Sequence, residues 1–127
     1  MLINFDKTKA KGFFGEAQVI TWLQKNGYQI LAQNYSTKGG EIDIIAQKGE
    51  VVSFIEVKMR MTTYFDLSEL VNYTKQRKII LTAKRYIALY GRSDQIYQFD
   101  VALVEKLPAG EFSVSYLPNA FYGSEFS

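Results

Sequence analysis

Residues 39–60 read GGEIDIIAQKGEVVSFIEVKMR and set Glu41, Asp43, Glu56 and Lys58 among isoleucines, valines and a phenylalanine. A charge in an apolar setting is costly unless it is paired or coordinates a cation. Strand alternation puts Glu41, Asp43 and Ile45 on one face of a first strand, and Val52, Phe54, Glu56, Lys58 and Arg60 on one face of the next. With a two-residue loop at Lys48 and Gly49, Asp43 faces Phe54 and Glu41 faces Glu56, so all the charged groups share a face. Asp43 and Glu56 are then diagonal neighbours about 7 to 8 Å apart at the backbone, a span that two side chains can close around one cation. A loop one residue longer would put them on opposite faces. Two converging carboxylates repel unless a proton or a metal intervenes. With a lysine beside them, such a group suits attack of water on a phosphodiester. The other reading is a solvated hairpin face carrying cross-strand Glu and Lys pairs; apolar Ile45, Val52 and Phe54 on the same face weigh against it.

Elimination narrows the chemistry further. The chain contains no cysteine and no histidine, which excludes disulfides, thiolate nucleophiles, Ser-His-Asp triads and the common zinc sites. Carboxylates, lysine, tyrosine and hydroxyls remain, together with oxygen-ligated cations such as Mg²⁺ or Mn²⁺. The net charge of +2 is too small to identify a partner, so its distribution matters more.

These residues need elements to position them. The 127 residues, 47% hydrophobic and 15% aromatic, suit one globular domain. From Lys11 to Asn26, Phe13, Ala17, Ile20 and Leu23 recur at helical spacing, and Gly27 follows as a C-cap. Glu16 projects near the middle of that apolar stripe; it either bends out to solvent or serves something beneath the helix. YQILAQNYS (28–36) reads as a first strand, and the opening stretch supplies two more. A second helix runs from an N-cap at Thr74 to Gly91 within the pattern 66–91, and IYQFDVALVE and FSVSYL add two strands around the turn Pro108-Ala109-Gly110. The order is αβββαββ, an α/β or α+β domain with a mixed sheet. No apolar run approaches membrane-spanning length and the N-terminus has no secretory pattern, so a cytoplasmic protein without membrane association is expected.

The second helix is basic: Lys75, Arg77, Lys78, Lys84, Arg85 and Arg92 precede the next acid, Asp94. Cations beside an acidic site suit a polyanion, although a solvated helix face looks the same. Lys38, Arg60 and Lys75 flank the proposed site in sequence and are the expected backbone contacts. Tyr35, Tyr64 and Tyr73 can stack on unpaired bases or close the edges of the core. Asp100 is expected to pair with a base such as Arg85, in a structural role.

Glu16 on the first helix, Gly40-Glu41-Ile42-Asp43, Ile55-Glu56-Val57-Lys58-x-Arg60, Lys75-Gln76-Arg77, Phe99-Asp100 and Asn119-Ala120-Phe121 occur in an order that resembles the bacterial YraN-like family, UPF0102. That family is similar to archaeal Holliday junction resolvases and to the PD-(D/E)xK nucleases, whose core is restriction-endonuclease-like, a mixed central sheet flanked by helices. The chain differs in having Asn72-Tyr73 before the Lys-Gln-Arg element and Ile42 before the first aspartate. The resemblance implies Asp43, Glu56 and Glu16 as ligands of Mg²⁺ or Mn²⁺, and Lys58 as the residue that orients or activates water. Lys38, Arg60, Lys75, Arg77 and Lys78 would hold nucleic acid, with Glu41, Gln76 and Asp100 in support. The implied activity is cleavage of branched or structured DNA, the alternative being a binding or assembly module that keeps the fold and cuts nothing. A homodimer is a further expectation, because junction-resolving relatives cut two strands symmetrically; no dimer surface is legible in the sequence.

Overall fold

A computed structural model describes residues 7–60 and 71–123, with side chains from residue 14 onward. The expectations for Phe13, Tyr64 and residues 66–70 lie outside the described residues. The described elements are α1 (Lys7–Lys25), β1 (Gln29–Thr37), β2 (Gly40–Lys48), β3 (Val51–Arg60), α2 (Tyr73–Tyr90), β4 (Ile96–Lys106) and β5 (Phe112–Phe121). This is the expected order αβββαββ.

The strands form one mixed sheet in the order β1-β2-β3-β4-β5. Neighbours are antiparallel except β3 and β4, which run parallel along the whole of β3, from Val51↔Ile96 to Arg60↔Glu105. Parallel neighbours need a crossover, and α2 lies on it. The central strands are apolar on both faces because each face is covered. Val19 and Leu23 of α1 pack on Ile44, Ala46, Ile55, Ala102 and Val104. Ile79, Ile80 and Ala83 of α2 pack on Ile42, Ile45, Val52, Phe54, Phe99, Val101 and Leu103. The result is a helix-sheet-helix sandwich compatible with a restriction-endonuclease-like core.

Each helix ends for a local reason. Gly27, at φ +87, lets the chain leave α1 while Tyr28 N–H reaches back to the Leu23 carbonyl at 2.9 Å. The N-cap of α2 is Asn72 rather than Thr74: its side chain accepts the Lys75 N–H at 2.9 Å, and Gln76 Nε2 donates to the Val71 carbonyl at 2.9 Å. Gly91 caps the other end in an extended conformation, its N–H donating to the Ile87 carbonyl.

Two strand expectations need correction. The β2–β3 turn sits at Gly49 and Glu50, with Lys48↔Val51 as the last pair, so the register runs Gln47↔Val52, Ile45↔Phe54 and Ile44↔Ile55. A turn at Lys48 and Gly49 would have shifted each partner by two residues. Strict alternation also fails around Asp43, because Ile42 packs with Ile45 on the α2 side while Ile44 lies on the α1 side. The β2–β3 ladder ends at Ile44↔Ile55 although β2 extends back to Gly40 and β3 on to Arg60.

Candidate functional site

The end of that ladder makes the site. Beyond Ile44↔Ile55 the space between β2 and β3 is filled by the Asp43 side chain, whose Oδ2 accepts the Val57 N–H at 2.8 Å. A side-chain oxygen thus takes a backbone donor that the ladder would otherwise use. Glu56 follows Phe54 by two residues on the α2 face of β3 and is only 4% exposed. Glu16 approaches from α1 and is 8% exposed. Asp43 hydrogen-bonds to both carboxyl groups, so the three acids form a chain with Asp43 in the middle.

The electrostatics follow from this crowding. Burial, then the charge of Glu56, then that of Glu16 push the Asp43 carboxyl up to about 8, against the opposing pull of the Val57 N–H. Glu16 is also raised, chiefly by burial and next by Glu41, while the Asn34 amide favours its charged form. Lys58 is lowered, first by burial and then by the neighbouring Lys75 ammonium. Burial works against Lys75 too, but its hydrogen bond to Glu56 and the charges of Glu56 and Asp43 outweigh it, so its pKa is raised.

Two lysines converge on one oxygen. Lys75 Nζ lies 2.5 Å from Glu56 Oε1, and Lys58 Nζ lies 3.7 Å from the same atom. Lys75, expected at a phosphate backbone, therefore contacts the acidic site itself. The donor set of Asp43, Glu56 and Glu16 is all oxygen and carries more negative charge than its burial tolerates, which fits a hard divalent cation. Among the described residues, however, no three acidic side chains surround a common point, and the Glu56 oxygen is already engaged by ammonium groups.

The remaining predicted residues are more peripheral. Glu41 is exposed and accepts from Ser36 Oγ at 3.3 Å. Lys38 lies in the β1–β2 turn, where its carbonyl accepts from Arg85. Arg60 ends β3, donating to the Met59 carbonyl at 3.3 Å. Arg77 and Lys78 are exposed on α2, and Gln76 supports the start of that helix. Tyr35 packs edge-on against Tyr86 with centroids 5.3 Å apart, beside a depression of about 290 Å³ that also touches Leu31 and Tyr90. Tyr73 is 73% exposed.

Asp100 does not meet Arg85. Arg85 donates to Thr37 Oγ1 at 3.2 Å and to the Lys38 carbonyl. Asp100 is fully buried and accepts from Gln98 Nε2, the Tyr116 hydroxyl and the Asn119 N–H, the last at 2.9 Å. Burial and then Asp100 raise the Tyr116 pKa. This network holds the irregular part of β5 opposite Asp100, where the pairing jumps from Val101↔Leu117 to Phe99↔Phe121. Phe99 and Phe121 stack there with centroids 5.1 Å apart, which explains why Phe99-Asp100 and Asn119-Ala120-Phe121 belong together.

Sequence reasoning missed Asn34. It stands in β1 at φ +50, and its amide reaches Glu16. Asparagine is depleted in strands yet tolerates left-handed backbone, so its place in an otherwise strand-like run was the available signal.

The model of the uncharacterised protein family UPF0102 matches residues 15–104, a span containing Glu16, Asp43, Glu56, Lys58 and Lys75. Among curated relatives, a UPF0102 protein of Alkaliphilus metalliredigens is 40% identical over 115 residues, covering 90% of this chain and 99% of the relative. One from Clostridium perfringens strain 13 is 39% identical over 115 residues, covering 89% and 94%. One from Treponema pallidum strain Nichols is 38% identical over 117 residues, covering 89% and 93%. With the family model matched over most of its length and relatives near 40% identity, the chain belongs to the uncharacterised protein family UPF0102.

Proposed function

We propose that the protein is a metal-dependent endonuclease that hydrolyses phosphodiester bonds in branched or structured DNA. The observation that supports it best is the desolvated chain of carboxyl groups, Glu16 to Asp43 to Glu56, with Lys58 two residues along the same strand face. Asp43 and Glu56, with Glu16 behind them, would hold Mg²⁺ or Mn²⁺, which would supply Lewis-acid polarisation of the phosphodiester and a lowered pKa for the attacking water. Hydrolysis forms a bond from the water oxygen to phosphorus and breaks the bond to a sugar oxygen, so the water must shed a proton. Lys58, 3.7 Å from Glu56 Oε1, would orient that water, and burial together with Lys75 lowers its pKa, which favours a proton-accepting role. The exposed cations of α2, Lys78 among them, would hold flanking phosphates. The preference for branched DNA comes from the family resemblance. So does a dimeric state, which sedimentation at several concentrations would test.

One observation favours a second reading, a binding or assembly module without cleavage: Glu56 already carries two ammonium partners. Incubating labelled four-way junctions, flaps, single strands and duplex with Mg²⁺, Mn²⁺ or EDTA separates the two. Endonuclease activity predicts metal-dependent cuts that disappear in Lys58→Ala while DNA binding persists. Binding without cleavage of any substrate by either metal would leave the module reading.

A further inference from the structure

Lys75 and Lys58 reach the same Glu56 oxygen from different elements. Lys58 shares its strand with Glu56. Lys75 arrives from the first turn of α2, where the Asn72 cap fixes its backbone. Its side chain is 45% exposed although its ammonium lies 2.5 Å from a carboxylate that is 4% exposed. A lysine ammonium is a compact charge on a flexible four-carbon stem, so this one can leave Glu56 for solvent without moving helix or sheet. From the same α2 surface it can reach a phosphate lying along the helix.

We infer that Lys75 is an exchangeable counter-ion of the Glu56 carboxylate: it competes with a divalent cation for that oxygen and yields the place when a nucleic-acid phosphate draws its ammonium away. The inference rests on the proposed metal site and adds a regulatory link to it. One ammonium cannot serve carboxylate and phosphate together, and Glu56 Oε1 cannot keep Lys75 at 2.5 Å while ligating an ion in the same direction. Metal and nucleic acid therefore assist each other's binding through this side chain, and by linkage the assistance is equal in both directions. Lys75 acts here as a positioning residue and takes no proton from the reaction.

Charge alone predicts a different outcome, which makes the inference testable. A fixed positive charge shifts metal affinity and polyanion affinity separately, so its removal in Lys75→Ala would leave the help that each gives the other unchanged. Exchange predicts that this help shrinks. The measurement is the Mn²⁺ dissociation constant, from the electron paramagnetic resonance signal of free Mn²⁺. It is taken with and without a four-way junction built with phosphorothioate linkages, which keep the backbone charge and resist hydrolysis. For the parent, the junction should tighten Mn²⁺ binding by about tenfold, within the usual range of coupling between sites. Lys75→Ala should bind Mn²⁺ more tightly than the parent when no junction is present, and the junction should then change its affinity by less than about twofold. Lys25→Ala, which removes an exposed lysine in the last turn of α1, should keep the parent's coupling. Circular dichroism checks the fold; should the alanine variant fail to fold, Lys75→Gln replaces it. Equal coupling in parent and Lys75 variant, or larger coupling in the variant, overturns the inference and leaves the metal site standing. Absence of Mn²⁺ binding in every protein overturns both.

Discussion

At pH 7 most folded molecules hold a proton on Asp43 that the unfolded chain has released, because burial and Glu56 lift its pKa from 3.8 to about 8. The sign of the pH effect follows. Between about pH 4 and 8 the folded state binds more protons than the unfolded state, so this group's contribution to stability falls as pH rises through that window. Glu16, raised in the same direction, adds to the fall above the ordinary glutamate range. Asp43→Asn keeps an acceptor for the Val57 N–H and removes the titration. Without divalent metal the variant should therefore be more stable than the parent at pH 8, by roughly 0.5 to 2 kcal/mol on the scale of single substitutions, and the difference should vanish toward pH 4. Thermal melts across that range check the sign. Added Mn²⁺ should raise the parent's melting temperature through preferential binding to the folded state, and raise that of Asp43→Asn much less. Equal responses would remove Asp43 from the ligand set. Because binding needs the ionised carboxylate, the parent's response should also grow as pH rises toward 8.

Gly40 governs how two elements meet. A Cβ built there would overlap Thr82 Oγ1 and stand 2.8 Å from the Lys78 carbonyl oxygen, so the start of β2 presses directly on the middle of α2. Gly40→Ala should destabilise the fold by about 1 to 3 kcal/mol, the usual cost of overpacking. Thr82→Ala in the same chain should relieve part of that loss, since it removes one of the two obstructions and leaves the carbonyl. Urea denaturation of the two single variants and the double variant measures the coupling; strictly additive losses would mean that the contact does not set the spacing. The strands also show what was legible in the sequence. Moving the β2–β3 turn one position along, from Lys48-Gly49 to Gly49-Glu50, changes every partner by two residues. Because side chains alternate with period two, that shift preserves which face each residue occupies. The shared face of Ile45 and Phe54 could thus be read while their exact pairing could not; Asp43 instead reaches between the strands to Val57 and meets both Glu16 of α1 and Glu56. Alternation carries no information about where a ladder ends, so the break that aims Asp43 at Val57 and returns Ile42 to the α2 side stayed hidden. Asp100 shows a different limit: its partners Tyr116 and Asn119 come from a strand 16 and 19 residues away, and no local pattern could favour them over Arg85. Glu16 was legible because a carboxylate on an apolar helix stripe conflicts with burial unless something beneath it answers.

At the scale of the whole molecule, charge is distributed so that a buried acidic site is bordered by a basic helix surface. If DNA lies along that surface, its affinity should fall steeply with salt, with a slope set by the number of phosphates neutralised. Lys78→Ala should lower the slope of log K against log salt by about 1 and weaken binding alike for different sequences. Fluorescence anisotropy at several KCl concentrations reads both, and an unchanged slope would exclude Lys78 from the contact. Among the described residues no helix is long and apolar enough to cross a membrane. The two outer strands carry a last consequence. In β1 the pairing shifts between Ile30 and Ala32 and the backbone turns left-handed at Asn34; β5 carries Pro118, left-handed Asn119 and a shift opposite Asp100. A neighbouring chain that tried to extend the sheet would meet, on either border, a kinked edge with interrupted donors and acceptors. Fibril-like stacking and strand borrowing along these two edges are thereby discouraged.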